Sequence, residues 1–107
     1  MTHRVIVRAE AEDDIADAVA WYDHRVLGLG QDFLTKVESA IAGAARNPLQ
    51  YPCLRRKPEV RRVLTERFPY RVFFIRRHRE VVIFRVLHSA RHDREWESNI
   101  PKDSEHP

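Results

Sequence analysis

Two histidines and two arginines within one short stretch are the side chains of this sequence best suited to chemistry on nucleic acid. The stretch RVLHSARHDREW contains His88, His92 and three arginines, of which Arg85 and Arg91 are the candidates for phosphate binding. Cleavage of RNA through its own 2′-hydroxyl requires a base, an acid, and cations that stabilise the charge developing at phosphorus. His88 or His92 can move the proton, while Arg71, Arg85 and Arg91 can hold the phosphate. This inventory is sufficient for a ribonuclease, but composition alone assigns no residue a catalytic role.

Metal binding is a weaker interpretation of the same histidines. His88 and His92 are four residues apart, a spacing that places two zinc ligands on one face of a helix, and Asp93 would add a third. His88, however, ends a run of strand-forming residues, and a strand loses that geometry. Cys53 is the single cysteine, which excludes an internal disulfide and any multi-cysteine zinc site. We expect no metal, no other cofactor, and no chemical role for Cys53.

Charge is segregated along the chain. Residues 1–50 carry 5 basic and 8 acidic side chains, whereas residues 51–100 carry 13 basic and 6 acidic ones. Of the 19 basic residues, 16 are arginine, the side chain suited to planar, two-point contacts with phosphate or carboxylate. The second half is therefore predicted to meet an acidic partner, either nucleic acid or an acidic protein.

The length of 107 residues fits one domain. We expect this domain to cover residues 1–98, and residues 99–107 to form a flexible tail. No apolar run approaches the roughly 18 residues that would suggest a membrane span, and the start MTHRVIVRAEAEDD lacks the apolar core of a signal peptide. A cytoplasmic protein is expected.

Periodicity predicts one strand and two helices in the first half of the chain. The strand covers residues 3–8, with alternating faces. Carboxylates then crowd the first turn of a helix, where the helix dipole favours negative charge, and Gly28 and Gly30 are expected to end that helix. A second amphipathic helix covers residues 31–46 and ends before Asn47-Pro48.

The second half supplies a sheet for this helical hairpin to cover. Residues 48–60 read as an irregular connection, and three strands are predicted at 61–66, 70–76 and 81–88, the last two joined by a turn at 76–80. The order β-α-α-β-β-β predicts an α+β fold, in which an antiparallel helical hairpin packs on one face of a mainly antiparallel sheet. A short C-terminal helix can follow.

One strand pairing bears on function. If Ile75 pairs with Val81 across the turn, then Arg71 lies directly opposite Arg85. Like charges opposite each other destabilise a sheet unless an anion lies between them. This register therefore predicts an anion site.

Aromatic residues can bind bases or fill the core. Tyr70, Phe73 and Phe74 can stack on bases if they are exposed, but their position in central strands favours core packing. Trp96 follows the basic stretch and is expected to anchor a terminal segment against the sheet.

The succession of elements, together with RRVLTERFPYRVFFI and VVIFRVLHSARHDREW, resembles the toxins of type II toxin-antitoxin modules in the RelE/ParE superfamily. Within it, FPYRVFF and VLHSARHDREW are similar to the ParE branch, where an F-P-Y strand and a final H-x-x-R followed by a Trp recur. The resemblance covers residues 3–97. It implies a small cytoplasmic toxin that forms a hetero-oligomer with a cognate antitoxin.

In this family the antitoxin lays a helical or extended segment over the groove between the helical hairpin and the sheet. Such segments are often acidic, which suits the basic second half of this chain. ParE-like members inhibit DNA gyrase without being nucleases, whereas RelE-like members cut messenger RNA on the ribosome.

The resemblance also implies site residues. Arg71 and Arg91 match arginines that RelE-like nucleases use at the phosphate, but the position of the RelE catalytic tyrosine falls at or next to Trp96, whose indole has no ionisable hydroxyl. This departure favours a gyrase inhibitor. The residues expected to bind the target or the antitoxin are Arg61, Arg71, Arg85, Arg91 and Trp96.

Two alternatives stay open. The first is a ribosome-dependent messenger-RNA endoribonuclease that uses Arg71, Arg91, His88 and His92. The second is a stand-alone basic module that binds nucleic acid.

Overall fold

Five strands and three helices make up the part of the protein that the structure describes. The computed structural model describes residues 2–91 and 94–101. The elements in chain order are β1 (Arg4–Val7), α1 (Ala9–Arg25), α2 (Leu29–Arg46), β2 (Cys53–Arg56), β3 (Glu59–Leu64), β4 (Tyr70–Arg77), β5 (Glu80–His88) and α3 (Arg94–Glu97). A single 3-10 turn, Pro48–Gln50, follows α2.

The strands form one mixed sheet with the order β1-β5-β4-β3-β2. β1 pairs with β5 in parallel, and all the other neighbours are antiparallel. The helical hairpin connects β1 to the rest of the sheet and covers one of its faces. The predicted α+β fold is confirmed, including the order of elements and the short C-terminal helix.

The connection predicted as irregular contains an edge strand. β2 lies within residues 48–60 and pairs with β3, which begins at Glu59 rather than at residue 61. Sequence patterning missed β2 because an edge strand has one partner only and this one is largely exposed, so it lacks the apolar alternation that marks a half-buried strand. The prolines on either side reinforced the wrong interpretation.

The turn between β4 and β5 is shorter than predicted. β4 extends to Arg77 and β5 begins at Glu80, which leaves only His78 and Arg79 between them. His78 has a φ of +52°, a left-handed conformation that a tight reversal demands. As a result Ile75 pairs with Val82 and not with Val81.

A β-bulge shifts the register of the same pair further. Phe84 is an extra residue on β5. It lies between Ile83, which pairs with Phe74, and Arg85, which pairs with Phe73. Arg71 consequently lies opposite Leu87. The predicted pairing of Arg71 with Arg85 is wrong, and the anion site inferred from it has no basis.

Glycines set the junction of the two helices rather than simply ending the first one. Gly28 has a φ of +89° and precedes α2, a conformation that side chains rarely adopt. Gly30 lies inside the first turn of α2, where an added Cβ would come within 2.5 Å of the Val19 carbonyl oxygen. Its N–H donates to Asp23 Oδ1 at 2.8 Å. The close approach of α1 and α2 therefore requires glycine at position 30.

Apolar residues fill both faces of the sheet. The helix-side core lies between the hairpin and the sheet and includes Phe33, Val37, Val72 and Phe74. The outer core lies on the opposite face and consists of Val60, Phe73, Ile75, Val82, Phe84, Leu87 and Trp96. Phe73 and Phe74 are fully buried in different cores, which confirms that they pack rather than stack on bases.

The C-terminal helix covers the outer core. Trp96 is only 8% exposed, and its ring stacks on Phe73 with centroids 5.7 Å apart and an interplanar angle of 17°. Ile100 packs against the same cluster. Trp96 therefore anchors the end of the described chain to the sheet, as expected.

Candidate functional site

A pocket of about 280 Å³ with both charged and apolar lining residues lies where β4 begins and β5 ends. Helix α1 forms one wall and the two strands form the other. The lining residues are Asp14, Asp17, Ala18, Trp21, Tyr70, Val86, Leu87, His88 and Arg91. The structure thus brings His88 and Arg91 together, as the sequence predicted, and adds residues from α1.

The α1 residues reach this pocket because of helical geometry. Asp14, Asp17 or Ala18, and Trp21 are spaced three to four residues apart, so they follow one face of the helix. Trp21 is 51% exposed, and the Arg25 guanidinium lies over its ring at 4.3 Å. An exposed tryptophan at helical spacing from two carboxylates was the sequence signal for this wall, and it was missed.

His88 is held by the loop that follows β5. Its Nδ1 accepts a hydrogen bond from the Ala90 N–H at 3.0 Å, and its ring meets Tyr70 edge-on with centroids 5.2 Å apart. With Nδ1 accepting, the neutral ring carries its proton on Nε2. The lone pair that a general base would use is therefore occupied by the backbone.

Tyr70 lines the pocket beside His88 and contacts a second tyrosine, Tyr22, with ring centroids 6.2 Å apart. Burial raises the pKa of Tyr70, and the neighbouring Tyr22 raises it further. Burial also raises the pKa of Tyr22, partly offset by its side-chain hydrogen bond with Tyr70. Both phenols stay protonated at neutral pH, so they can donate hydrogen bonds but cannot serve as bases.

Arg85 is committed to a salt bridge inside the protein. Its Nε and Nη2 donate to the two carboxylate oxygens of Asp14 at 2.7 and 2.9 Å, and the Val86 N–H donates to the same carboxylate at 2.9 Å. The hydrogen bond with Asp14 raises the pKa of Arg85. This pair joins α1 to β5, since Asp14 lies in the helix and Arg85 in the strand. Both side chains are mostly shielded from water.

Arg71 supports the loop that presents Arg91. Arg71 is buried and its Nη2 donates to the Arg91 carbonyl oxygen at 2.8 Å, while its guanidinium lies 5.3 Å from the Phe73 ring centroid. Arg91 itself is exposed and pairs with Glu95. Of these two arginines, Arg91 is the one whose guanidinium faces solvent.

The remaining predicted contact residues lie away from the pocket. Arg61 donates to Glu59 at 2.6 Å and to the Tyr51 carbonyl oxygen at 2.6 Å, and Trp96 is packed in the outer core. A contact of either residue with a partner stays a prediction. His92, expected as an acid or base, and Asp93 lie outside the described residues.

An apolar groove runs between the two helices on the side away from the pocket. It encloses about 680 Å³ and is lined chiefly by Ile15, Ala16, Val19, Ala20, Leu34, Val37 and Ile41. Three carboxylates, those of Glu12, Asp23 and Glu38, lie at its rim. The sequence pattern placed these apolar residues in the hairpin but did not show that part of the stripe stays open.

Within residues 2–91 and 94–101 no three His, Cys, Asp or Glu side chains are grouped so as to hold a metal ion. In the same part of the chain no helix is long and apolar enough to cross a membrane.

Comparison with known proteins identifies a family. The model of the family described as ParE toxin of type II toxin-antitoxin system, parDE, matches residues 5–93. A solved structure described as a chromosomal ParDE TA system from P. aeruginosa superposes with a TM-score of 0.71 at 16% identity, covering 81% of this chain and 96% of that one. At this identity the superposition shows a shared fold. No curated protein matches the sequence.

Proposed function

The chain belongs to the ParE toxin family of type II toxin-antitoxin systems, and from this premise we propose that it inhibits DNA gyrase by binding, without catalysis. A cognate antitoxin holds it inactive in a hetero-oligomer. The proposal places the protein in the cytoplasm, where its target works.

The state of the proton-transfer groups in the pocket is the observation that carries a binding mode of action. His88 Nδ1 accepts a backbone N–H, and the pKa values of Tyr22 and Tyr70 are raised by burial. Cleavage of RNA needs a base with a free lone pair, whereas the Nδ1 lone pair of His88 is engaged by the backbone and both tyrosines are protonated phenols. Asp17 adds an exposed carboxylate to the lining, which repels a phosphate.

The groove between α1 and α2 supports an antitoxin partner. It is open and mainly apolar, and an exposed apolar groove of this size is a common docking place for an amphipathic helix. The ParDE relative is described as a toxin-antitoxin system, and that pairing is a property of the relative. We propose that the corresponding segment of this chain's antitoxin inserts apolar side chains into the groove.

Arg91 is proposed as the principal target contact near the pocket. It is the exposed member of the predicted set, and Arg71 fixes the loop that carries it. Arg71 and Arg85 are proposed to position this surface, since each is engaged within the protein beside it. Arg61 and Trp96 lie away from the pocket, and we propose that any contact they make with a partner is separate from this surface.

A supercoiling assay with purified gyrase tests the proposal. Arg91→Gln should raise the half-inhibitory concentration by about tenfold, the scale of one lost charged hydrogen bond at an interface. Arg67→Gln is a matched control, because Arg67 and Arg91 have side chains that are each 55% exposed and each form one surface ion pair. The control should change inhibition by less than about twofold. Unimpaired supercoiling at excess wild-type protein would contradict the proposal.

A ribonuclease is the second candidate, because Tyr70, His88 and Arg91 line a common pocket. Primer extension on messenger RNA after induction of the protein distinguishes it. New 5′ ends that disappear in a His88→Ala variant would support cleavage. Growth arrest without new 5′ ends would leave only the binding mode.

A further inference from the structure

Two hairpin turns lie side by side at the end of the sheet opposite the pocket. The turn between β2 and β3 contains Lys57, and the turn between β4 and β5 contains Arg79. Both turns lie at the same end of the sheet because β3 and β4 are antiparallel neighbours, with Val60 paired to Ile75. We call this end of the sheet the basic turn end. Its cations are Arg4, Arg55, Arg56, Lys57, Arg61, Arg76, Arg77 and Arg79.

Carboxylates neutralise only part of the basic turn end. Glu59 accepts hydrogen bonds from Arg61 and Arg76, and Glu80 pairs with Arg4 and Arg77. Within the described part of the chain these are the carboxylates that pair with its cations. The other four cations are exposed.

Those four cations form no ion pair among the described residues, and they are Arg55, Arg56, Lys57 and Arg79. Arg55 donates only to the Lys57 carbonyl oxygen, at 3.2 Å. His78, which precedes Arg79 in the turn between β4 and β5, is exposed as well. Four exposed cations without a carboxylate partner among the described residues therefore lie close together at one end of the sheet.

The strand pairing spreads these cations over both faces of the sheet. Arg55 lies opposite Val60, a member of the outer core, whereas Arg56 lies opposite Glu59, which bonds Arg76 on the other face. Paired residues in an antiparallel ladder share a face, so Arg55 and Arg56 point to opposite faces. The two turns are separated by about two inter-strand spacings, or roughly 10 Å.

We propose that the basic turn end binds the phosphate backbones of duplex DNA. A spacing of roughly 10 Å between the turns is close to the width of about 12 Å of the major groove, so cations on the two turns and two faces can contact both strands. The inference goes beyond gyrase inhibition, because this contact does not require gyrase.

An acidic peptide fits the same surface less well. β2 is an edge strand, but its pairing with β3 is irregular between Cys53 and Arg55, and a bulge with exposed cations discourages strand addition. The concavity beside it is lined mostly by charged side chains, with Leu54 as its aliphatic member. A peptide would therefore find few apolar anchors, whereas phosphates need only the cations.

Fluorescence anisotropy with a labelled duplex of about 20 base pairs, over a series of salt concentrations, tests the proposal. The site variant R56Q/K57Q/R79Q removes three unpaired cations. The control R25Q/K36Q/R67Q removes three cations from the helical side of the molecule and changes the net charge equally. Thermal unfolding of both variants verifies that they are folded.

The site variant should bind the duplex at least tenfold more weakly than the wild type, and the slope of log K against log salt should fall by about 2 to 3. The control should weaken binding by less than about threefold. Equal losses in the two variants, or an undiminished slope in the site variant, would overturn the proposal. So would tighter binding of a polyglutamate peptide than of the duplex.

Single-stranded DNA and RNA of the same length serve as further arms, and the proposal requires the duplex to bind most tightly. The experiments distinguish a failure of the DNA-binding proposal from a failure of the gyrase proposal. Absence of DNA binding with intact inhibition of supercoiling would overturn only this inference. DNA binding without inhibition would overturn only the gyrase proposal.

Discussion

At the scale of single residues, arginine has two distinct uses in this protein. Arg85 and Arg71 are shielded from water and fasten one element or loop to another. Arg91 and the unpaired cations of the basic turn end are exposed. A guanidinium presents several donors in a fixed plane, which suits both a bidentate internal salt bridge and a contact with phosphate. Composition alone does not separate the two uses.

The Asp14 salt bridge is expected to contribute measurably to stability. Asp14→Asn removes the charge and one of the two oxygens that accept from Arg85, so we expect a loss of about 2 kcal/mol in the free energy of unfolding. Asp17→Asn, at an exposed position one turn further along α1, should change it by less than about 0.5 kcal/mol. Urea denaturation measures both, and equal effects would show that the bridge contributes nothing.

The lowered pKa of Glu59 predicts that protonation of this carboxyl contributes to unfolding in acid. The hydrogen bond from Arg76 holds the pKa of Glu59 below its ordinary 4.5. A carboxyl with a lowered pKa stabilises the fold fully above its unfolded pKa, and this contribution is lost as the pH falls through the folded value. Glu59→Gln should therefore be less stable than the wild type near pH 7, with a difference that narrows between about pH 5 and pH 3. A difference independent of pH would contradict this.

At the scale of elements, helix α1 serves two surfaces at once. One face places Asp14, Asp17 and Trp21 at the pocket, and the roughly opposite face lines the apolar groove with Ile15 and Val19. Both surfaces depend on the close contact of α1 with α2 and with β5, so helix position links the proposed target contact to the proposed antitoxin contact.

The groove is expected to govern antitoxin affinity. Ala20 is exposed and lines it, and Ala20→Glu places a charge where apolar side chains of the partner would pack. We expect affinity for the cognate antitoxin to fall at least about tenfold by calorimetry, since burying an unpaired charge is costly. Ala42→Glu is the control, an exposed alanine of α2 outside the groove. Equal affinities for the two variants would place the antitoxin elsewhere.

The two tryptophans should differ in their contribution to the fold. Trp96 is buried on Phe73, so Trp96→Ala is expected to cost about 3 kcal/mol of unfolding free energy. Trp21 is half exposed, and Trp21→Ala should cost less than about 1 kcal/mol. Denaturant unfolding of the pair decides this, and a larger loss at Trp21 would mean that α3 does not support the outer core.

At the scale of the whole molecule, the two proposed contacts lie at opposite ends of one sheet. Strand β4 runs from Tyr70 at the pocket to Arg77 at the basic turn end, a distance of about 20 Å at the usual rise per residue. A surface ion at one end is largely screened from the other at physiological salt. The pocket and the basic turn end should therefore act independently.

Additivity tests this independence. Combining Arg91→Gln with R56Q/K57Q/R79Q should weaken binding to the gyrase–DNA complex by the sum of the separate free-energy changes, within about 0.5 kcal/mol. Binding titrations of the wild type, the two variants and their combination give the four values. A coupling larger than about 1 kcal/mol would show that both ends contact one shared element of the target.

Local pattern was enough to predict much of this protein. Helical and strand periodicity indicated the succession of elements, and the apolar central strands indicated the buried phenylalanines. The motifs FPYRVFF and HSAR pointed to the family that the family model confirms. These properties depend on residues close together in sequence, where side-chain period and turn chemistry act directly.

Tertiary structure decided the remaining features, because they depend on contacts between distant residues. The Arg85–Asp14 bridge joins side chains 71 positions apart, and the bulge at Phe84 changed every pairing beyond it. The edge strand β2 is defined by its single neighbour rather than by its own pattern. Which arginines are neutralised and which stay exposed follows from these contacts. The charge asymmetry was therefore visible in the sequence, whereas its concentration at one end of the sheet required the fold.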